Sequence, residues 1–144
     1  MSKTKALKIT VIAIRIALGV LFIYAGYQKF IPKERPAVSE VQELPDHVVK
    51  IKAFIGGMKQ TGYFWPFLGI AEIVAGVLLL SQVLSLLGAF ILLPVTLNIF
   101  LFHLFLEPHE PFELFLTGLY LVGNLFIILY EYPKLKPVFI TKSL

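Results

Sequence analysis

The side chains able to do chemistry in this chain are few, and the most conspicuous lie where water is scarce. Arg15, Glu72 and Asn124 each sit inside an apolar run built of Leu, Ile, Val and Phe. A charge in such surroundings must find a counter-charge or line a polar path, because an unpaired ion in hydrocarbon is costly. Spacing puts these residues on shared helix faces. Arg15, Gly19, Phe22, Gly26 and Lys29 recur at steps of four and three, as do Trp65, Gly69, Glu72 and Gly76, and again Glu113, Thr117, Tyr120 and Asn124. Three small-or-polar stripes against apolar surfaces predict a common axis. By helical rise, Arg15 and Glu72 lie about 10–12 Å from the end that carries the termini, and Asn124 about 9 Å. Matched depth predicts an Arg15–Glu72 ion pair, with Asn124 adding a hydrogen bond. Such a pair either fixes helix register alone or also takes part in function.

A second polar group gathers toward the opposite end: Gln28 and Lys29, Asn98 and His103, then Glu107, His109, Glu110 and Glu113. Histidines with carboxylates are a ligand set for a transition metal. The spacing His103-Leu-Phe-Leu-Glu107-Pro-His109-Glu110 matches no known metal motif, so no metal site is expected and Lys29 is expected to neutralise Glu113. Tyr24, Tyr27 and Tyr120 lie near the stripes and are candidates to line a cleft for a lipophilic ring, with an interfacial aromatic belt as the competing role. The chain has no cysteine, which excludes disulfides, thiol relays and thiolate metal sites. It also lacks a facing pair of haem-type histidines, a nucleotide loop and a nucleophile–base motif, so stand-alone redox chemistry is not expected. The net charge of +4 comes without an Arg/Lys stripe interleaved with aromatic residues. That argues against a nucleic-acid partner and for lysines that meet anionic lipid headgroups.

The elements that must hold these residues are membrane helices. Hydrophobic residues make up 58% of the chain and charged residues 15%, against about 45–50% and about 25% in soluble domains. Four apolar runs, at about 7–30, 63–80, 84–106 and 112–130, are long enough to cross a bilayer. The expected fold is all-α: a polytopic membrane protein in which residues 1–144 form a single four-transmembrane-helix bundle. Pro94 predicts a kink in the third span. The long first loop, 32–62, begins polar. Its second half alternates Val48, Val49, Ile51, Phe54, Ile55 and Met58 with lysines, which predicts a short amphipathic helix on the membrane face, weakened by Gly56-Gly57. The first run is read as retained helix because Arg15 interrupts it and no clear cleavage site follows.

The run from Arg15 through Gly19, Phe22 and Gly26 to Lys29-Phe30 resembles the opening motif of the DoxX family of small four-helix bacterial membrane proteins. Gly69-Ile-Ala-Glu72-Ile-Val-Ala-Gly76 is similar to that family's glycine-flanked glutamate helix, and the segment from Glu113 to its last helix. The resemblance covers Arg15 to Tyr130 and matches Arg15, Lys29 and Glu72 to the family's charged positions; the long loop 32–62 departs from it. It implies a bacterial inner-membrane subunit, accessory to a quinone-linked redox complex or another multiprotein assembly, with a quinone or lipid as the small molecule such a bundle would hold. The partners implied are the lipid bilayer and other membrane subunits. Transport or lipid and cargo handling, and a purely structural role, are the alternatives. A lateral opening lined by Tyr and Phe favours the quinone or lipid, an aqueous cavity reaching Glu72 favours transport, and a dry axis favours a scaffold.

Charge placement predicts the orientation. Lys3, Lys5, Lys8, Lys134, Lys136 and Lys142 collect on the side of the termini, against Lys33, Arg35, Lys50, Lys52 and Lys59 opposite, so the termini are expected in the cytoplasm. Single cysteines at Ser2, Ser39 and Ser143 test this in a cysteine-free background. In intact cells an impermeant thiol reagent should label the Ser39→Cys protein and spare the other two; the inverse pattern reverses the topology.

Overall fold

The computed structural model describes residues 2–32 and 44–140. The polar start of the long loop, and with it Ser39, lies outside the described residues, as does Ser143. Six helices follow one another: α1 (Lys3–Gln28), α2 (Asp46–Gln60), α3 (Phe64–Leu80), α4 (Ser85–Leu106), α5 (Pro111–Tyr130) and α6 (Tyr132–Phe139). Local chemistry sets their ends. The Ser2 hydroxyl accepts from Lys5 N at 3.2 Å and caps α1. Pro111 opens α5, where its missing N–H costs nothing. α1 therefore starts four residues before the expected Leu7, on a turn carrying Lys3 and Lys5.

Three helices, α1, α4 and α5, are long and apolar enough to cross a membrane, and up to four crossings result if α2 and α3, bent 88° from one another, are taken as one span. α3 alone has 17 residues, or about 25 Å of helix. α2 is continuous through Gly56-Gly57 and buries none of its residues, as suits an amphipathic helix lying across the end of the others. It rests against α3 and α4, with Phe54 tilted against Phe102 at 5.7 Å between ring centres. α6 is an addition to the expected plan. The last expected span ends at 130, yet Tyr132–Phe139 forms a short helix that buries Leu135 and sets Phe139 against Phe90 at 5.7 Å.

α1, α3, α4 and α5 run alternately up and down. The most extensive packing joins α1 to α3, then α4 to α5 and α3 to α4, while α1 and α5 meet only loosely. Glycine explains the tightest seam. A Cβ on Gly26 would stand 2.5 Å from the Gly69 carbonyl oxygen, and one on Gly76 would stand 2.6 Å from that of Gly19. Only glycine lets the two backbones touch at these two levels, seven residues apart on each helix. Leu18, Phe22, Ala75, Leu79, Ala89, Leu92 and Ile127 fill the space between the four helices. Large apolar side chains such as Val20, Val77, Phe105, Phe115 and Leu129 cover the outside, an arrangement made for lipid.

The two kinds of glycine should respond oppositely to alanine. Gly26→Ala drives a methyl into Gly69 and is expected to lower stability by about 1–3 kcal/mol. Gly57→Ala meets nothing within 4 Å in α2 and should raise it by about 0.5–1 kcal/mol. Unfolding of the purified variants in mild detergent compares them directly.

Candidate functional site

The polar side chains inside the helix bundle occupy three levels. At the end that carries the termini, the Arg15 guanidinium donates from Nη2 to Glu131 Oε1 at 3.0 Å and from Nη1 to Gln82 Oε1 at 3.2 Å. Lys134 approaches the second Glu131 oxygen at 2.9 Å. Gln82 holds its place with a left-handed backbone, φ 63°, a conformation that costs a non-glycine residue about 1–2 kcal/mol. Its side chain ties the α3–α4 turn to α1, donating to Leu79 O at 3.4 Å while accepting from Arg15.

The middle level is uncharged. Asn124 on α5 is fully buried and faces Thr96 and the backbone of α4. Its amide orientation follows from its neighbours. With nitrogen toward Ala89 O at 3.1 Å, its oxygen accepts from Leu93 N at 3.2 Å and from Thr96 Oγ1 at 2.9 Å. Pro94 follows directly and has no N–H to give Phe90, so Asn124 braces α4 where the helix ladder is weakest.

At the far level Lys29 Nζ lies 2.9 and 3.0 Å from the two oxygens of Glu72, whose side chain is 1% exposed. Lys29 and Lys59 also stand over the Trp65 ring, 5.1 and 4.9 Å from its centre. The expected Arg15–Glu72 pair is thus corrected to Arg15–Glu131 and Lys29–Glu72, and Asn124 bonds Thr96 and α4 in place of either charge. The glycine seam is the reason. With Gly19 against Gly76 and Gly26 against Gly69, Glu72 lies level with Ile23, eight residues or about 12 Å from Arg15. Lys29 is six residues away on the other side, about 9 Å, a gap that a lysine and a glutamate leaning together close.

The outer cluster does not form one site. His103 Nδ1 bonds Ile99 O at 2.9 Å and Nε2 stands 3.6 Å from Glu107. His109 packs on His47 of α2 at 4.5 Å and approaches Glu110 at 4.0 Å. Glu113 and Asn98 are exposed, and Lys29 turns to Glu72 and away from Glu113. Among the described residues no three His, Asp or Glu side chains gather as a metal would need. Tyr24 and Tyr27, 62% and 57% exposed, point away from the bundle because they sit two and one positions beyond Phe22 and Gly26 on the helix wheel. Tyr120 alone of the three lines a cleft, edge-on to Phe22 at 6.2 Å.

Three cavities adjoin these levels. One of about 680 Å³ opens at the Arg15 end and one of about 410 Å³ beside Lys29, Lys59 and Trp65. The third, about 610 Å³, is a groove along the side of the molecule between α1 and α5, with Ile14, Leu18, Leu21, Tyr120, Val122 and Phe126 among its walls.

The ion-pair assignment is testable by coupling. Lys29→Ala strands the Glu72 charge and should cost about 3–5 kcal/mol, whereas Lys29→Leu with Glu72→Leu should be tolerated better than either change alone. A double-mutant cycle should give about 1–3 kcal/mol for Lys29 with Glu72 and additivity within about 0.5 kcal/mol for Arg15 with Glu72. Coupling confined to the second pair would refute the register.

Comparison with known proteins agrees with these features. The DoxX family model matches residues 10–104, which contain Arg15, Lys29, Glu72 and both glycine contacts. No curated protein and no solved structure matches the chain. With two thirds of its length matched and apolar helices built to cross a bilayer, the chain belongs to the DoxX family and is a multi-pass membrane protein.

Proposed function

We propose that this protein crosses a bacterial cytoplasmic membrane four times, with both termini inside, and holds a lipophilic molecule, an isoprenoid quinone or a lipid, against its α1–α5 side. The observation that carries this reading is the lateral groove. Its volume of about 610 Å³ falls in the range of small-molecule sites, about 300–1,000 Å³. Its walls are apolar except for Thr10 and Tyr120, and it runs along the lipid-facing side of the helices. A flat ring could stack beside Tyr120 while an isoprenoid tail follows Ile14 and Leu18.

Transport draws less support. Glu72 is sealed by Lys29, and the linings of the two end cavities stop at Arg15 and Lys29. The role we assign is an accessory subunit that presents the bound molecule to a partner in the membrane.

Purification into polymer discs followed by solvent extraction tests the reading. The wild-type protein should retain quinone or a defined lipid above the level of the bulk membrane. Ala17→Phe, which fills the groove from its exposed edge, should lower the retained amount about tenfold, the effect of losing roughly 1.4 kcal/mol of binding. Equal retention by the folded Ala17→Phe protein would remove the groove from consideration.

A further inference from the structure

We propose that the cavity at the Arg15 end binds a phosphate group, either free or carried on a lipid headgroup. Three cationic side chains, Lys8, Arg15 and Lys134, line it against a single carboxylate, Glu131. That one carboxylate is already divided between Arg15 at 3.0 Å and Lys134 at 2.9 Å. Lys8 has no ion-pair partner among the described residues. The cavity therefore carries an excess of two positive charges between low-dielectric walls, which concentrates anions.

Arg15 supplies the second observation. It is 8% exposed, and its Nε is buried without an acceptor among the described residues although both terminal nitrogens are bonded. A buried donor left unsatisfied is costly, and a phosphate offers several acceptor oxygens where a carboxylate offers two. The ammonium groups are free to join. Lys134 is 78% exposed and can turn from Glu131 to an incoming anion at little cost, and Lys8 is exposed on the first turns of α1. The cavity, at about 680 Å³, is far larger than a phosphate ion and is completed by apolar groups of Val11, Ile12 and Pro133. Those walls suit a phosphate with an organic stem. The site shares no lining residue with the lateral groove, so it stands or falls independently of the proposed function.

The test uses the full chain in a non-ionic detergent, with inorganic phosphate and short-chain phosphatidylglycerol as probes in calorimetric titrations. Lys8→Gln with Lys134→Gln removes two cavity charges and leaves the Arg15–Glu131–Gln82 contacts in place. Lys3→Gln with Lys5→Gln removes the same net charge from the same end of the molecule but outside the cavity. The first double variant should weaken binding about tenfold, as expected for lost charge-assisted bonds, and the second by less than about twofold. Binding of both probes with this pattern identifies the phosphate group itself as the ligand; binding of phosphatidylglycerol alone identifies a lipid headgroup. Absence of saturable binding by either probe, or equal weakening in the two double variants, overturns the proposal. Thermal unfolding of each variant confirms that the comparison is between folded proteins.

Discussion

The contact between α1 and α3 at two glycine levels governs the interior of this protein. Where Gly19 meets Gly76 and Gly26 meets Gly69, backbone touches backbone, so neither helix can slide or rotate without a clash. In lipid there is little hydrophobic force to gather helices, and association rests on close packing and on hydrogen bonds. A seam with this little tolerance fixes the level of every other group on both helices. It sets Arg15 beside the α3–α4 turn, where Gln82 waits, and sets Glu72 within reach of Lys29 and out of reach of Arg15.

The consequence is that each ion rooted midway along a helix is met by a partner at a helix end. Arg15, midway along α1, reaches Gln82 and Glu131 at the ends of α3 and α5, and Glu72, midway along α3, is met by Lys29 just past the end of α1, whose long side chain can lean inward. Asn124 and Thr96 bond one another without charge, and such neutral hydrogen bonds cost less to bury. The same amide compensates Pro94. Asn124 lends its donor and acceptor to Ala89 and Leu93 just before the proline, so α4 can bend without leaving its backbone unsatisfied in the apolar interior.

Much of this architecture is legible in the residues. The apolar runs, the stripes at three-and-four spacing and the amphipathic second half of the long loop all translate directly into helices and faces. Pairing across helices does not. Depth counted from Leu7 and Leu80 treats both as lying at one membrane boundary, yet α1 begins at Lys3 and Arg15 stands level with the end of α3. An error of one to two turns exchanges ion-pair partners. Glu131 lies seven residues past Asn124, beyond the last stripe, and Gln82 lies between two apolar runs, so neither carries a role in its sequence position. Their roles come from the α5–α6 and α3–α4 turns that bring them back over Arg15. Tyr24 and Tyr27 show a second limit, since proximity in sequence to a stripe says nothing of direction when one residue turns the side chain by about 100°.

The lateral groove follows from the same seam. α1 commits its small-residue face to α3, and the face left for α5 carries Ile14, Leu18 and Leu21, which hold the two backbones apart. On α5, a Cβ on Gly123 would stand 3.3 Å from Ile14, so the helices come near one another there, while the bulky Tyr120 and Phe126, three residues to either side, line the groove. A ring of four helices with one glycine-tight seam and one bulky seam cannot close evenly. The gap opens along the bulky side, toward lipid, and the molecules with access to it are those already dissolved in the membrane. On the function proposed above, a lipophilic ligand would reach the α1–α5 side without passing a charged residue of the groove's lining, and the basic cavity at the Arg15 end would be left to anions from the headgroup layer.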